Sequence, residues 1–99
     1  MSKIGMNKGR PRLWLEGKQL TEHGFIKGKK FTISYLPDSM KALKFLKLLI
    51  DNDGSRTVSG TSDRPIIDII GKAVEAGNFK AGDETKIYFS RNVIVVQFP

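Results

Sequence analysis

Cysteine is absent from the 99 residues, which excludes disulfides, thiolate nucleophiles and thiolate zinc sites together. No apolar run approaches the roughly 18 residues that a membrane-spanning helix needs. The opening MSKIGMNKGRPR lacks an apolar signal core, so the expected location is cytoplasmic. Neither a GxxxxGK[ST] loop nor a GxGxxG fingerprint occurs, so nucleotide hydrolysis has no visible machinery. Histidine occurs once, as His23, with no orienting partner at a suggestive spacing, and helix capping is its simpler role. Asp51 and Asp53 in DNDGS open like a calcium loop but lack its later ligands, so a tight turn is expected. The expectation is a non-enzymatic chain with no catalytic residue, no metal and no cofactor.

Negative charge is scarce in one half only. Residues 1–50 hold eleven Lys/Arg against Glu16, Glu22 and Asp38, whereas residues 51–99 hold six against seven acids. The whole formal excess of +7 therefore lies in the first half. A one-sided basic surface attracts phosphate-bearing partners through counterion release and steering.

An internal repeat organises the chain. Shifted by 54 positions, RPRLWLEGKQLTEHGFIKGKKFTISY (10–35) falls on RPIIDIIGKAVEAGNFKAGDETKIYF (64–89) without gaps. Arg10/Arg64, Pro11/Pro65, Gly17/Gly71, Lys18/Lys72, Phe25/Phe79, Gly28/Gly82 and Ile33/Ile87 are identical, and Leu13/Ile67, Leu15/Ile69, Leu20/Val74 and Tyr35/Phe89 keep apolar character.

Each copy reads as strand, short helix, strand. Leu13 and Leu15 alternate with Arg12, Trp14 and Glu16, the period of a half-buried strand. Helices are expected at Lys18–His23 and Lys72–Ala76, stopped by Gly24 and Gly77. Phe25-x-x-Gly28 and Phe79-x-x-Gly82 place an aromatic plug before a glycine turn. Strands follow at Lys29–Tyr35 and Glu84–Phe89, and Val93–Phe98 closes a hairpin. KALKFLKLLI, with Lys41, Lys44 and Lys47 three apart, has helical propensity, but comparison with the second copy favours a return strand. Arg56–Ser59 is expected as a short strand. The whole is expected as a single domain of residues 1–99, of β-rich α+β class, with two strand–short helix–strand–hairpin repeats related by pseudo-symmetry. In this division residues 1–9 are a flexible basic arm, 10–59 the first repeat with an insertion, 60–63 a linker and 64–98 the second repeat.

The second copy, RPIIDIIGKAVEAGNFKAGDETKIYFSRNVIVVQF, resembles an AbrB-type swapped-hairpin unit. The first resembles the SymE branch of that superfamily in its L-x-G-x-x-L-x-x-x-G-F-x-x-G spacing over residues 15–28. GRPRLWLEG, SRTVSG and RPIIDI are also similar to a short module joined to phage-type cytosine methyltransferases. The insertion around residues 40–50 and the lack of basic residues on the second copy's first strand depart from the superfamily's pattern. The resemblance implies interlocked hairpins, formed within the chain or in a homodimer, that present basic residues to DNA; the SymE branch brings RNA-directed activity into view.

Candidate binding residues follow from charge and context. Lys3, Lys8, Arg10 and Arg12 lie in or beside the arm, where they could track phosphates or enter a minor groove, against the plainer reading of a frayed terminus. Lys27, Lys29 and Lys30 flank Gly28, where backbone amides could also meet phosphate. Lys18 opens the first helix, and Arg64 gains interest as the counterpart of Arg10. Trp14, on the polar phase of its strand, could stack on an unpaired base or pack beneath a neighbour. The expected partner is nucleic acid, with duplex DNA ahead of RNA and a regulator of phage or mobile-element type in view. An RNA-binding or RNA-cleaving SymE-like protein and a protein-interaction module docking on an acidic partner are the alternatives. No membrane partner is expected.

Overall fold

A computed structural model describes residues 2–40 and 42–99. Alternation builds its first sheet. In β3 (Arg10–Glu16), Pro11, Leu13 and Leu15 point inward while Arg12, Trp14 and Glu16 face out; in β8 (Pro65–Ile70), Pro65, Ile67 and Ile69 point inward. These two strands pair antiparallel at the centre of a four-stranded sheet, with β2 (Gly5–Asn7) beside β3 and β7 (Ser59–Gly60) beside β8. A second, six-stranded antiparallel sheet runs β1 (Ser2–Lys3), β9 (Glu84–Ser90), β10 (Val93–Gln97), β5 (Phe45–Ile50), β4 (Lys30–Ser34), β6 (Arg56–Thr57).

Inward side chains of both sheets form one core cluster. Leu13, Ile67 and Ile69 from the first sheet meet Phe31, Leu46, Leu48, Ile94 and Val96 from the second. Phe25 and Phe79, from the Phe-x-x-Gly turns, are fully buried, and each such side chain contributes about 1.5–3 kcal/mol relative to exposure. Two short helices, α1 (Lys18–Glu22) and α2 (Lys72–Glu75), each bury one apolar residue, Leu20 and Val74. Among the described residues, no helix is long and apolar enough to cross a membrane.

A local twofold relates the strand pairings. Trp14 lies directly opposite Asp68, its own counterpart 54 residues on. In the other sheet the hairpins pair Ile33 with Leu48 and Ile87 with Val96, which makes Val95 the counterpart of Lys47. Those two residues also face each other, across β5 and β10. The relation reaches the sheet edges, since Ser2 pairs with Thr85 as Arg56 pairs with Phe31. Ile4 and Val58, both 1% exposed, take matching core positions.

These pairings correct several expectations. The α+β class, with helices separating the strands of each repeat, gives way to a mostly β chain of two antiparallel sheets. Its helices span only five and four residues, too short to make a layer. Residues 1–9 do not behave as an arm over their described part. Ile4 is buried, its amide donates to the Asp83 carbonyl and its carbonyl accepts from Gly82, so β1 and β2 are tied down on both sides. A single isoleucine between Lys3 and Gly5 is too little for a periodicity argument. The copies accordingly run from Ser2 to Ile50 and from Arg56 to Gln97, and β6 and β7 belong to the second copy as β1 and β2 belong to the first. Residues 60–63 close a turn by Thr61–Arg64 backbone bonds and are no independent linker. The left-handed residue after α2 is Asn78 (φ 67°), the counterpart of Gly24 (φ 93°), in place of Gly77. The first hairpin carries its insertion as Pro37–Lys44, against Arg91–Asn92 in the second.

Candidate nucleic-acid interface

The expected arginines stand on the outer face of the four-stranded sheet, each beside an acid. Arg10 Nη2 lies 2.7 Å from Glu75 Oε1. Arg12 donates through Nε and Nη2 to both oxygens of Asp68, at 2.8 and 2.9 Å. This bidentate hydrogen bond holds the Arg12 guanidinium more basic than usual. Arg64 Nε sits 3.9 Å from Glu16 Oε2. Exposed pairs of this kind stabilise little, but they occupy the guanidinium groups that a phosphate would need. Pairing of β3 with β8 sets Arg12 against Asp68, and α2 brings Glu75 to Arg10, so these first-half arginines meet second-half acids, which a tally by chain half does not reveal.

Trp14 occupies the centre of the same face, on the local twofold, and is 43% exposed. Its indole N–H donates to Glu16 Oε1 at 3.1 Å, and the Arg12 guanidinium covers the ring at 4.5 Å from its centroid. One ring face is therefore already in use.

The lysines are arranged differently. Lys8 sits in the tight turn between β2 and β3 with φ 52°, and Lys18 opens α1; both are exposed. Lys27 and Gly28 form the centre of a turn closed by Lys29 N–H donating to the Ile26 carbonyl at 3.0 Å, with Gly28 at φ 89°. Lys27, Lys29 and Lys30 are exposed and, among the described residues, form no ion pair. At the counterpart positions of the second copy stand Ala81, Asp83 and Glu84. Asp83 is occupied: Lys44 Nζ donates to it at 2.6 Å and the Lys80 amide at 2.7 Å. The lysine bond holds the Asp83 carboxyl below the usual carboxylate range. The two turns related by the twofold therefore differ in charge, one basic and open, the other acidic and partly neutralised.

Lys30 begins the outward row of the six-stranded sheet, with Lys3, Lys47 and Lys86 on outward positions of their strands. Glu84 stands on the same face opposite Lys3, and Tyr88, 45% exposed, lies under the Lys86 ammonium at 5.8 Å. Lys47 comes from the Lys41, Lys44 and Lys47 spacing, whereas Lys86 and Tyr88 were not singled out from sequence, because strand alternation identifies a face only once the inward residues are known. Lys41 lies outside the described residues.

A groove of about 620 Å³ opens where the two sheets part beside α1. Leu15, Ile87 and Phe89 give it an apolar floor, and Ser2, Glu16, Gln19 and Lys86 a polar rim, with Trp14 at its edge. Thr85 also lines it, and its hydroxyl is buried without a hydrogen-bond partner among the described residues. The repeat itself carried a signal for this groove: the shift of 54 sets Thr85 against Phe31 and Ser2 against Arg56.

His23 is half-buried, with Nδ1 2.7 Å from the Gln19 carbonyl and its ring 5.5 Å from that of Phe89. Among the described residues, no cluster of His, Asp or Glu could hold a metal ion. No protein-family model matches the chain, and neither a curated protein nor a solved structure matches it.

Proposed function

We propose that the protein is a non-enzymatic nucleic-acid-binding protein that meets the phosphate backbone, with duplex DNA as its first ligand, through the Lys27–Lys30 turn. The observation that carries this reading is the unpaired basic turn, whose counterpart holds Ala81, Asp83 and Glu84. Lysine ammonium groups on a rigid turn beside a sheet edge can follow phosphates without reading bases. Lys3, Lys47 and Lys86 extend the positive surface along the adjoining outward face. The resemblance of residues 10–33 to SymE-type and of 64–98 to AbrB-type proteins supports the same reading. A non-catalytic role is supported by His23, whose Nδ1 is engaged by backbone and whose ring packs on Phe89.

The test is fluorescence anisotropy with labelled duplex DNA, single-stranded DNA and RNA across a salt series. Binding weakens steeply with salt, and Lys27→Ala/Lys29→Ala/Lys30→Ala lowers the log–log salt slope by about two to three, roughly 0.9 per lost phosphate contact. Flat curves for all three ligands near physiological salt overturn the reading.

A protein-interaction module is the second reading, favoured by an apolar recess at the other end of β5 from Lys30. Leu36, Leu43, Phe45 and Phe98 line it, with Leu43 55% and Phe98 65% exposed. Flat nucleic-acid curves would move the function to this recess.

A further inference from the structure

The two sides of the molecule related by the local twofold are built from the same strands and closed differently. On one side Phe31 is 2% exposed, and the Tyr35 hydroxyl donates to the Ala73 carbonyl at 2.6 Å, tying β4 to α2. On the other side the counterparts are Thr85, Phe89 and Gln19. Threonine fills far less than phenylalanine, and Phe89 has no hydroxyl with which to bridge to α1. Ser2 likewise stands where the other side has Arg56. The groove is therefore opened by particular small-for-large replacements between otherwise matching strands.

Its chemistry is specific as well. The Thr85 hydroxyl lies at 0% exposure with no partner among the described residues, a small polar group beneath the groove where the closed side has a phenylalanine ring. Above the apolar floor stand a carboxylate (Glu16), an amide (Gln19), a hydroxyl (Ser2) and an ammonium (Lys86). Trp14 borders the groove with one ring face covered by Arg12, and Phe89 adds an aromatic ring to the floor. An alkyl ligand would strand the polar rim, and a bare phosphate would meet Glu16 and leave the floor unused. A planar ring with N–H donors on its edge and an anionic substituent uses the floor and both charges: the ring on Phe89 beside Trp14, its N–H edge on Glu16, its phosphate toward Lys86.

We infer that this groove is a seat for one unpaired nucleobase bearing a 5′-phosphate, from a single strand or a free nucleotide. The inference rests on the nucleic-acid reading but uses a groove separate from the Lys27–Lys30 turn, with Lys86 common to the groove rim and the positive face.

The experiment follows the emission of Trp14, the single tryptophan, in the full chain. Guanosine 5′-monophosphate gives a saturable change, and ribose 5-phosphate at the same concentrations does not. A short single-stranded RNA that saturates at lower concentration than the mononucleotide assigns the base to a strand; equal concentrations assign a free nucleotide. Thr85→Phe, which copies the closed side, weakens the mononucleotide by about tenfold, as expected for lost stacking and hydrogen bonding. Duplex binding, read by anisotropy, stays unchanged in that variant. Because position 85 is buried, Glu16→Gln on the exposed rim serves as the second variant and weakens the mononucleotide without altering thermal unfolding. An equal response to ribose 5-phosphate, or no response to mononucleotide and RNA while duplex binding persists, overturns the groove alone. Loss of every nucleic-acid signal, duplex included, overturns the parent reading as well.

Discussion

Arg12 and Asp68 join the two copies by two parallel hydrogen bonds, at 2.8 and 2.9 Å, across the central pair of the four-stranded sheet. The arginine also covers the ring of Trp14, so one side chain is shared between an acid and an aromatic at the twofold. That arrangement turns a basic strand into a locally neutral surface and leaves the open positive charge to the lysines.

Removing the acid exposes this masking. Asp68→Asn releases the Arg12 guanidinium and raises net charge by one. Affinity for duplex DNA should rise by about tenfold near 0.1 M salt if Arg12 then reaches a phosphate, the gain expected for one added contact. The thermal midpoint should fall in the same variant. Anisotropy and a melting curve on one preparation check both directions, and unchanged affinity would show that this face never meets the ligand.

Acid lability is expected from Asp83. Its carboxyl is held more acidic in the folded chain than in the unfolded one, chiefly by the Lys44 bond. A group of that kind stabilises the fold above its unfolded value of about 4, and the contribution disappears as pH falls through the lower folded value. Urea midpoints of the wild type should therefore drop toward those of Asp83→Asn below about pH 4 and stay above them at neutral pH. Parallel curves across that window would contradict the assignment.

Tyr35 titrates in the opposite sense. Burial pushes its phenol up, with Arg56 opposing in part. A raised folded value favours the fold below the unfolded value, and that contribution is lost as pH rises above about 10. Ultraviolet difference titration should show one tyrosine ionising late, and Tyr35→Phe should abolish that phase. The variant also deletes the bond to the Ala73 carbonyl, costing about 1 kcal/mol by urea unfolding at neutral pH.

The aromatic plugs should be the most costly positions. Phe25 is 0% exposed and meets Phe31 edge-on at 6.3 Å, and Phe79 takes the matching place in the second copy. Phe25→Ala and Phe79→Ala should each lose about 3–5 kcal/mol, with Phe→Leu losing less. Denaturant unfolding checks the magnitudes; a loss under about 1 kcal/mol at either site would mean the cavity collapses freely.

Much of the fold was legible because its signals are local. Alternation over Leu13–Glu16, the Phe-x-x-Gly turns and the shift of 54 residues mark β3, β8 and the buried aromatics directly. Residues 2–7 were not legible as strands, and 56–59, expected as one short strand, were not legible as their counterpart. Each segment holds two edge strands of two or three residues whose backbone bonds come from distant partners, Asp83 and Gly82 for Ile4 among them. The α+β expectation failed for a related reason, since helical propensity over one turn is visible locally and the dominance of sheet pairing is not.

For the binding surface the division is sharper. Sequence by itself determined the basic excess of the first half, the lysines that flank Gly28 and the replacement of Phe31 by Thr85 between copies, because each is a matter of residue identity. Only the tertiary structure decided which charges remain available. Antiparallel pairing of β3 with β8 brought Arg12 to Asp68, and the turn between α2 and β9 brought Asp83 to Lys44. Coulombic pairing acts over a few ångströms of space, whatever the separation along the chain.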